Sequence, residues 1–240
     1  MKINLPNLLT SCNLFCGCIA AVMVFRNHLD WAAYLVFIAA FFDLLDGMAA
    51  RKISSGSAFG KELDSLADMV SFGFVPGAVM FKLLQSADME LYFTSDILIR
   101  VIQFFPFIIT IFSALRLADF NIDTRQTNSF IGLPTPANTL FIVSLPLIMK
   151  QFPGKYDDVI MNPYSIFIVT IIFSLLMVSN IPLFSMKFKT LSMKENVFQY
   201  LLIGCALILF PWLLYAAIPI LIILYIFLSI IKNYIKTTPL

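Results

Sequence analysis

The feature that most constrains the fold of this chain is a succession of apolar stretches, each close in length to a membrane helix. About 20 apolar residues are needed for a helix to cross a bilayer, where lipid offers the backbone no hydrogen-bond partners. Of the 240 residues, 60% are hydrophobic and only 12% are charged. The sequence therefore predicts an all-α, polytopic membrane helix bundle with about eight transmembrane helices. The predicted spans cover 8–25, 31–53, 60–84, 97–118, 130–149, 164–181, 197–210 and 213–231.

Charge placement predicts how these spans are oriented. Lysine and arginine are enriched on the cytoplasmic side of membrane proteins. With eight spans and a cytoplasmic N-terminus, eleven of the 16 Lys and Arg residues fall inside and five outside. Both termini are therefore expected to be cytoplasmic. The first run is interpreted as a retained span, since it lacks a small-residue cleavage site, and a tight turn at Pro211 and Trp212 is expected between the last two spans.

Four carboxylates lie within or at the ends of the second and third apolar runs. An ionised side chain in such a run is costly and usually functional. A short link of serine and glycine at 54–57 predicts a break between two helices. The carboxylates belong to the pattern D-x2-D-G-x2-A-R-x8-G-x3-D-x3-D, whose eight fixed residues are Asp43, Asp46, Gly47, Ala50, Arg51, Gly60, Asp64 and Asp68.

Helix geometry predicts that these residues converge. At about 100° per residue, the fixed residues of the second span share an arc of about 140°. Gly60, Asp64 and Asp68 follow at intervals of four along one stripe of the third span, which Ser71 continues towards the same cavity. If the two helices fold against each other, the carboxylates meet, and cations are needed to offset their repulsion.

The ligand type predicts which ions would bind there. Carboxylate oxygens suit Mg²⁺, Mn²⁺ or Ca²⁺, whereas zinc would be expected to have His or Cys ligands. Four carboxylates can hold two hard cations, an arrangement that stabilises the attacking and leaving oxygens in phosphoryl displacement. Gly47 and Gly60 leave room for a ligand near the backbone, and Arg51 suits a phosphate.

Other functions for the carboxylates remain open on this pattern alone. They could form a structural cation site or a charge network between two helices, line a cation transporter, or belong to a non-catalytic lipid-binding bundle. The single histidine, His28, leaves no zinc site or histidine-based triad. The four cysteines are interpreted as small buried hydrophobes, and no basic run suggests a nucleic-acid partner.

The pattern resembles the signature of the CDP-alcohol phosphatidyltransferase family at all eight fixed positions. The resemblance implies one integral membrane domain over 1–240, with a six-helix core, the signature at 43–68 and additional C-terminal spans at 197–231. It implies transfer of the phosphatidyl group of CDP-diacylglycerol to an alcohol, with release of CMP. A homodimer in the inner cell membrane, surrounded by membrane lipids and with its site at the cytoplasmic face, is expected.

The resemblance also implies roles for the fixed residues. Two divalent cations, Mg²⁺ or Mn²⁺, would be bound by the four aspartates, which are Asp43, Asp46, Asp64 and Asp68. Asp68 would also act as the general base that takes the proton of the acceptor hydroxyl. The remaining fixed residues would contact the CDP portion, and these are Gly47, Ala50, Arg51 and Gly60.

A polar face on the first span has two interpretations. Asn7, Thr10 and Asn13 are spaced by three and lie on one side of the helix. They could form hydrogen bonds to other helices, as polar groups in membrane helices commonly do. They could equally contact the nucleotide or a metal-bound phosphate.

Three stretches outside the signature resemble the bacterial family members that use L-serine as the acceptor. They are 7–13 with Gly17, 64–73, and 116–121 followed by 132–136. Arg116 could bind the carboxylate of serine, and Asn121 or Thr135 could help to orient it. Alternatively, Arg116 is an ordinary charge at a helix end and 132–136 is a helix-start turn.

The charge of the loop after the fourth span favours serine. Glycerol 3-phosphate or an inositol phosphate would need several basic groups for its phosphate. The loop offers mainly Arg116 and Arg125, against Asp119 and Asp123. Serine is therefore the preferred acceptor, and the phosphorylated alcohols are the alternative.

Overall fold

The computed structural model describes residues 4–53, 57–122, 129–185, 193 and 196–237, which are mostly helical. In chain order, the α-helices of these ranges are α1 (Leu5–Phe25), α2 (Leu29–Ile53), α3 (Ala58–Asp68), α4 (Val75–Ser86), α5 (Asp96–Ile102), α6 (Ile108–Ile122), α7 (Thr135–Gln151), α8 (Asp157–Ile160), α9 (Pro163–Val178), α10 (Val197–Leu213) and α11 (Ala217–Thr237). A π-helical turn (Met69–Phe74) joins α3 to α4, and 3-10 turns lie at Met89–Leu91, Phe105–Phe107 and Leu214–Ala216. The two strands are β1 (Ser129–Ile131) and β2 (Pro182–Phe184).

The predicted class, a multi-pass all-α membrane bundle, is confirmed. Within the described ranges, five helical runs are long and apolar enough to cross a membrane, namely Leu5–Phe25, Leu29–Lys52, Ala58–Ser86, Asp96–Ile122 and Val197–Tyr234. The last run contains both α10 and α11, and α9 is a shorter apolar helix. The count of eight crossings and the cytoplasmic location of both termini stay predictions. Some of the lysines and arginines on which the predicted orientation depends, such as Arg125 and Lys187, lie outside the described ranges.

Polar side chains fix where the first and third spans begin. Asn4 Oδ1 accepts a hydrogen bond from the backbone N–H of Asn7 at 3.1 Å, at the start of α1. Ser57 Oγ accepts one from the Gly60 N–H at 3.0 Å, at the start of α3. Such side chains satisfy N–H groups that have no partner within the helix. Because α2 ends at Ile53 and α3 begins at Ala58, the predicted break inside the signature is confirmed.

The first span packs against both helices of the signature. α1 contacts α2, α3 and α4. A Cβ atom at Gly17 would lie 3.0 Å from the Cα of Ser71, so glycine is what allows α1 this close to the third span. Ser71 is fully buried there and donates its hydroxyl to the Asn13 carbonyl at 3.1 Å. Its side chain therefore belongs to the α1 interface and lines neither of the cavities described below, contrary to expectation.

The third span is interrupted by the π turn, which begins directly after the last signature residue. Pro76 has no N–H to offer the carbonyl of Phe72, four residues earlier. The Thr139 hydroxyl of α7 donates to that carbonyl at 2.7 Å, and the Thr110 hydroxyl of α6 donates to the Gly73 carbonyl at 3.1 Å. Side chains from two other helices thus bond to carbonyls of the distorted turn.

Two predicted spans have different boundaries in the structure. The fourth is divided into α5 and α6 by a 3-10 turn that contains Pro106. The fifth begins at Thr135 and not near Phe130, because 129–131 form β1. Proline at the first positions of α7 explains the later start, since it favours a helix N-terminus.

The turn between the last two helices also lies elsewhere. Pro211 and Trp212 remain inside α10, so the prediction of a turn at these residues was wrong. The chain turns at Leu214, whose φ of 44° is rare for a residue with a side chain. A proline within a membrane helix is tolerated because neighbouring groups satisfy the freed backbone.

A two-stranded ribbon connects α9 to the start of α7. β1 and β2 are antiparallel, with Phe130 opposite Leu183 and Ile131 opposite Pro182. After β1, the N–H of Gly132 donates to the carbonyl of Ile181 at 2.9 Å. Gly132 has a φ of 75°, and a Cβ there would collide with carbonyl oxygens at the end of α9, so this position requires glycine.

Candidate active site

Three of the four signature aspartates form a compact group. One carboxylate oxygen from each of Asp43, Asp64 and Asp68 lies within 4.8 Å of the others. Asp43 comes from the C-terminal half of α2, and the other two come from consecutive turns of α3. Asp43 and Asp64 are half-buried, and Asp68 is buried. The structure thus brings both helices of the signature together, as the spacing predicts.

The first span supplies hydrogen bonds to two carboxylates. Thr10 Oγ1 donates to Asp46 Oδ2 at 2.5 Å, and Asn13 Nδ2 donates to Asp68 Oδ1 at 3.0 Å. All four of these residues are buried. The polar face of α1 therefore forms interhelical hydrogen bonds through Thr10 and Asn13, and its contact with a nucleotide or phosphate stays a prediction.

Two cavities of about 360 Å³ each border the carboxylates. Both are lined by Gly47, Lys61 and Asp64. The α1 cavity is further lined by Pro6, Asn7, Thr10, Asp46, Ala50, Ser57, Ala58 and Gly60. The α6 cavity is further lined by Asp43, Leu44, Arg51, Ser65, Asp68, Arg116, Leu117, Phe120, Asn121, Pro134, Thr135 and Pro136.

The residues with different predicted roles lie in different cavities. Of the predicted CDP contacts, Gly47, Ala50 and Gly60 line the α1 cavity. The three predicted acceptor contacts all line the α6 cavity, and these are Arg116, Asn121 and Thr135. Gly47 also lines the α6 cavity, whereas Arg51 is the predicted CDP contact that lines the α6 cavity alone.

The four aspartates are divided in the same way. Asp46 lines the α1 cavity, whereas Asp43 and Asp68 line the α6 cavity. Asp64 lines both cavities. The carboxylates thus lie at the boundary between the α1 cavity and the α6 cavity, and each cavity could hold one of two reacting substrates.

The α1 cavity depends on the absence of a side chain at Gly60. A Cβ there would lie 3.1 Å from Asn7 Oδ1 and 3.2 Å from Ser57 Oγ. The first turn of α3 borders this cavity. A helix N-terminus carries partial positive charge and N–H groups without helical partners, which favours phosphate binding.

The α6 cavity contains a buried guanidinium group. Arg116 is only 4% exposed, and its Cζ lies 5.7 Å from the centroid of the Phe120 ring. This burial differs from that of an ordinary solvated charge at a helix end. Asn121 Nδ2 donates to Ser65 Oγ at 2.8 Å, which ties the end of α6 to α3. Thr135 is buried at the start of α7.

Lys61 borders both cavities, although the signature does not predict it as a site residue. Its Nζ donates to the backbone carbonyl of Asn121 at 2.5 Å. One signal for it exists in the sequence, because Lys61 follows Gly60 and lies three residues before Asp64, on the same side of α3. A cation at this position is close to both halves of any substrate that spans the two cavities.

The donor set fits a hard divalent cation. Carboxylates this close repel each other unless a positive charge lies between them. Asp64 Oδ1 is buried and has no hydrogen-bond partner within the part of the chain that the structure describes. Carboxylate oxygens are the ligands that Mg²⁺ and Mn²⁺ prefer. The group of three aspartates could therefore hold a metal ion.

A membrane bundle in which hard-cation ligands adjoin two cavities is suited to phosphoryl transfer between two bound substrates. A family model described as CDP-alcohol phosphatidyltransferase matches residues 3–231 of the chain. The chain belongs to the CDP-alcohol phosphatidyltransferase family. It is accordingly a transferase of phospholipid biosynthesis, and the resemblance inferred from the signature is confirmed.

Curated relatives narrow the comparison further. A CDP-diacylglycerol–serine O-phosphatidyltransferase of Helicobacter pylori (strain J99) is 32% identical over 179 residues, which cover 73% of this chain and 70% of the relative. The enzyme of the same name in Bacillus subtilis (strain 168) is 33% identical over 141 residues, covering 59% of this chain and 74% of the relative. An archaetidylserine synthase of Methanothermobacter thermautotrophicus is 32% identical over 181 residues, which cover 75% of this chain and 69% of the relative.

Proposed function

We propose that this protein transfers the phosphatidyl group of CDP-diacylglycerol to the hydroxyl of L-serine, giving phosphatidylserine and CMP. The observation that carries the proposal is the division of the lining residues between two cavities that meet at Asp64. The names of the H. pylori and B. subtilis relatives, which specify serine as the acceptor, support it.

The nucleotide side of the substrate would occupy the α1 cavity. Ala50 and Gly60 leave space there, and the N-terminus of α3 offers its positive end to a phosphate. Lys61 and Arg51 would add positive charge to the diphosphate from the side of the α6 cavity. The acyl chains would remain in the bilayer, so we place the site at the cytoplasmic membrane surface, where CMP can leave into water.

Two divalent cations, when bound, would neutralise the diphosphate and stabilise charge on the leaving CMP. Asp43, Asp46, Asp64 and Asp68 would hold them. Asp64 suits a shared position because it lines both cavities and its Oδ1 is buried without a hydrogen-bond partner among the described residues.

The acceptor serine would occupy the α6 cavity. The buried guanidinium of Arg116 is suited to its carboxylate, since arginine binds carboxylates with two parallel hydrogen bonds. Thr135, at the N-terminus of α7, and Asn121 would help to orient it. A phosphorylated alcohol would need more positive charge than these residues provide.

Asp68 would take the proton of the serine hydroxyl as the serine oxygen bonds to the lipid-side phosphorus. The bond from this phosphorus to the bridging oxygen breaks, and CMP leaves with its electron pair. Asp68 suits the role of base because it lines the α6 cavity and one of its oxygens accepts a hydrogen bond from Asn13. Proton transfer of this kind typically contributes about 10²–10⁴-fold to a rate.

The test uses the full-length protein purified in detergent with CDP-diacylglycerol and Mg²⁺ or Mn²⁺. Serine, glycerol 3-phosphate and inositol phosphate are each supplied alone, and both CMP and the lipid product are measured. We expect release of CMP and formation of phosphatidylserine with serine. The same preparation, analysed by mass in detergent, tests the expected homodimer. Limited proteolysis tests the expected single domain over 1–240, which should yield no stable fragment of part of the chain.

The other outcomes separate the alternatives. Turnover with glycerol 3-phosphate or inositol phosphate and none with serine would keep the chemistry and replace the acceptor. No CMP release with any acceptor, together with cation flux into vesicles that contain the protein, would favour the transporter hypothesis.

A further inference from the structure

Helix α11 presents a stripe of three polar residues to the β ribbon. Tyr225, Ser229 and Asn233 are spaced by four, so they lie along one face of the helix. We call these three residues the ribbon stripe. No part of the proposed reaction uses them. All three belong to α11, which lies outside the signature.

The ribbon stripe binds the outer edge of β2. The Tyr225 hydroxyl donates to the Phe184 carbonyl at 2.9 Å, and the Phe184 N–H donates to Ser229 Oγ at 3.4 Å. Asn233 Nδ2 donates to the carbonyl of Pro182. The backbone N–H and C=O groups of successive residues along a strand point to opposite edges, so those of 182 and 184 point to the same edge and bond to α11. Ile181, on the other side, accepts the hydrogen bond from the N–H of Gly132.

Side-chain packing reinforces this attachment. The rings of Tyr225 and Phe184 meet edge to face, with centroids 5.0 Å apart. Lys232 Nζ lies 5.0 Å from the centroid of the Phe184 ring. Phe184 is also buried in a small apolar cluster with Leu202 of α10 and Leu228 of α11. β2 is thus held by the last two helices and not only by its partner strand.

The ribbon leads directly into one wall of the α6 cavity. β1 ends at Ile131, and the next residues are held on α9, where the Leu133 N–H donates to the Leu176 carbonyl at 2.9 Å. Pro134 and Thr135 follow at once and line the cavity. A displacement of β2 from α11 would therefore be passed through β1 to these two residues.

We infer that the ribbon stripe positions Pro134 and Thr135 of the α6 cavity, which we call the acceptor wall. Tyr225 and Ser229 are thus positioning residues for the second substrate. They touch no residue of the carboxylate group, and their effect passes through β2 and β1 to Thr135. The inference rests on the proposed function where it concerns the acceptor. The last two helices thereby gain a role in the use of the acceptor alcohol.

The test compares Tyr225→Phe and Ser229→Ala with the wild type. Tyr225→Phe removes one hydroxyl and keeps the ring that packs on Phe184. We expect the KM for serine to rise about fivefold in each variant, the ratio that corresponds to loss of one net hydrogen bond. The KM for CDP-diacylglycerol is expected to stay unchanged and kcat to change by less than about twofold.

Two further variants serve as controls. Ser229→Thr keeps the hydroxyl and should restore a wild-type KM for serine. Tyr164→Phe removes an exposed tyrosine hydroxyl at the start of α9, at the opposite end of that helix from Leu176, and should have no effect. Equal changes in both KM values, or a wild-type KM for serine in both Tyr225→Phe and Ser229→Ala, would overturn the inference.

Hydrogen–deuterium exchange of the full-length protein tests the inference without relying on turnover. The amides of Gly132 and Leu133 should exchange faster in Tyr225→Phe and Ser229→Ala than in the wild type and in Tyr164→Phe. If the wild type uses no serine, the proposed function fails, while this measurement still decides whether α11 holds the acceptor wall. Unchanged exchange at both amides would overturn the positioning role.

Discussion

The side-chain amide of Asn13 donates a hydrogen bond to Asp68 Oδ1 at 3.0 Å, between the first and third spans. Both residues are buried, and Asn13 is fully so. The bond fixes the orientation of the carboxylate, which leaves the second oxygen of Asp68 to meet a ligand. A residue outside the signature thus orients the proposed base.

Replacing Asn13 should slow the chemical step. In Asn13→Ala, Asp68 loses a hydrogen bond to a charged group, so we expect kcat to fall about 10- to 100-fold. The measurement is CMP release at saturating CDP-diacylglycerol and serine. Ser11→Ala, which changes an exposed residue of the same helix, is the control and should retain wild-type kcat. An unchanged kcat in Asn13→Ala would contradict the orienting role.

Replacing Asp64 should abolish turnover without unfolding the protein. Asp64→Asn removes the carboxylate that lines both cavities, and kcat should fall by more than the roughly 10²–10⁴-fold typical for loss of a base. Without metal, the Tm in detergent should equal or exceed that of the wild type, because less negative charge is crowded together. Added Mn²⁺ should raise the Tm of the wild type, since a ligand stabilises the state that binds it.

The control for this experiment is Asp88→Asn, at an exposed residue beyond the end of α4. It should keep both turnover and the rise in Tm with Mn²⁺. An Asp64→Asn variant that retains most of its activity at saturating metal would rule out the assigned role of Asp64.

Adding one methyl group at Gly60 should weaken binding of CDP-diacylglycerol. In Gly60→Ala, the new Cβ meets Asn7 Oδ1 at 3.1 Å and Ser57 Oγ at 3.2 Å, so it narrows the α1 cavity. Overpacking of this kind costs about 1–3 kcal/mol, and we expect the KM for CDP-diacylglycerol to be about tenfold higher than in the wild type. Gly204→Ala is the matched control, because a Cβ there has no neighbour within 4 Å. Equal KM values for the two variants would contradict the placement of the nucleotide.

Removing the charge of Lys61 should affect both substrates. Lys61→Met keeps most of the side-chain volume but loses the ammonium group that borders both cavities and bonds to the Asn121 carbonyl. We expect kcat/KM to fall about tenfold or more for CDP-diacylglycerol and for serine, since a hydrogen bond from a charged group contributes about 1.5–3 kcal/mol. Lys61→Arg should retain more activity than Lys61→Met.

A matched substitution tests whether the loss of activity is specific to Lys61 or follows from removal of any lysine in this span. Lys82→Met removes a lysine that bonds to Gln85 in α4, away from the cavities. Its kcat/KM should equal that of the wild type. A loss as large as that of Lys61→Met would show that the effect is not local to the carboxylates.

The convergence of the signature could be predicted from the sequence because it depends on short-range geometry. Residues four apart on α3 share a face wherever the helix lies, and in the structure that face meets Asp43 of α2. The buried state of Arg116 could not be predicted, because it depends on the packing of α6 against other helices. The hydrogen bonds of Thr10 and Asn13 were one of two predicted alternatives, and they depend on how α1 packs against the signature helices. The other alternative, contact with a nucleotide or phosphate, stays a prediction.

The ribbon could not be predicted for a similar reason. Its strands are three residues long and about 50 residues apart in the chain, so neither has a recognisable period of its own. The glycine at 132 signals a turn, but its partner carbonyls come from the distant end of α9. The turn at Leu214 was missed because Pro211 offers the stronger local signal, although the helix accommodates it.

The π turn after Asp68 sets the rotation of one half of the third span relative to the other. An α-helix advances by about 100° per residue, so deleting one residue from the turn would swing the face of α3 by about that angle while α4 kept its place. Asp64 and Asp68 would then point away from Asp43. The number of residues in this one turn therefore decides the direction in which the carboxylates face, independently of the contacts that hold the rest of the bundle together.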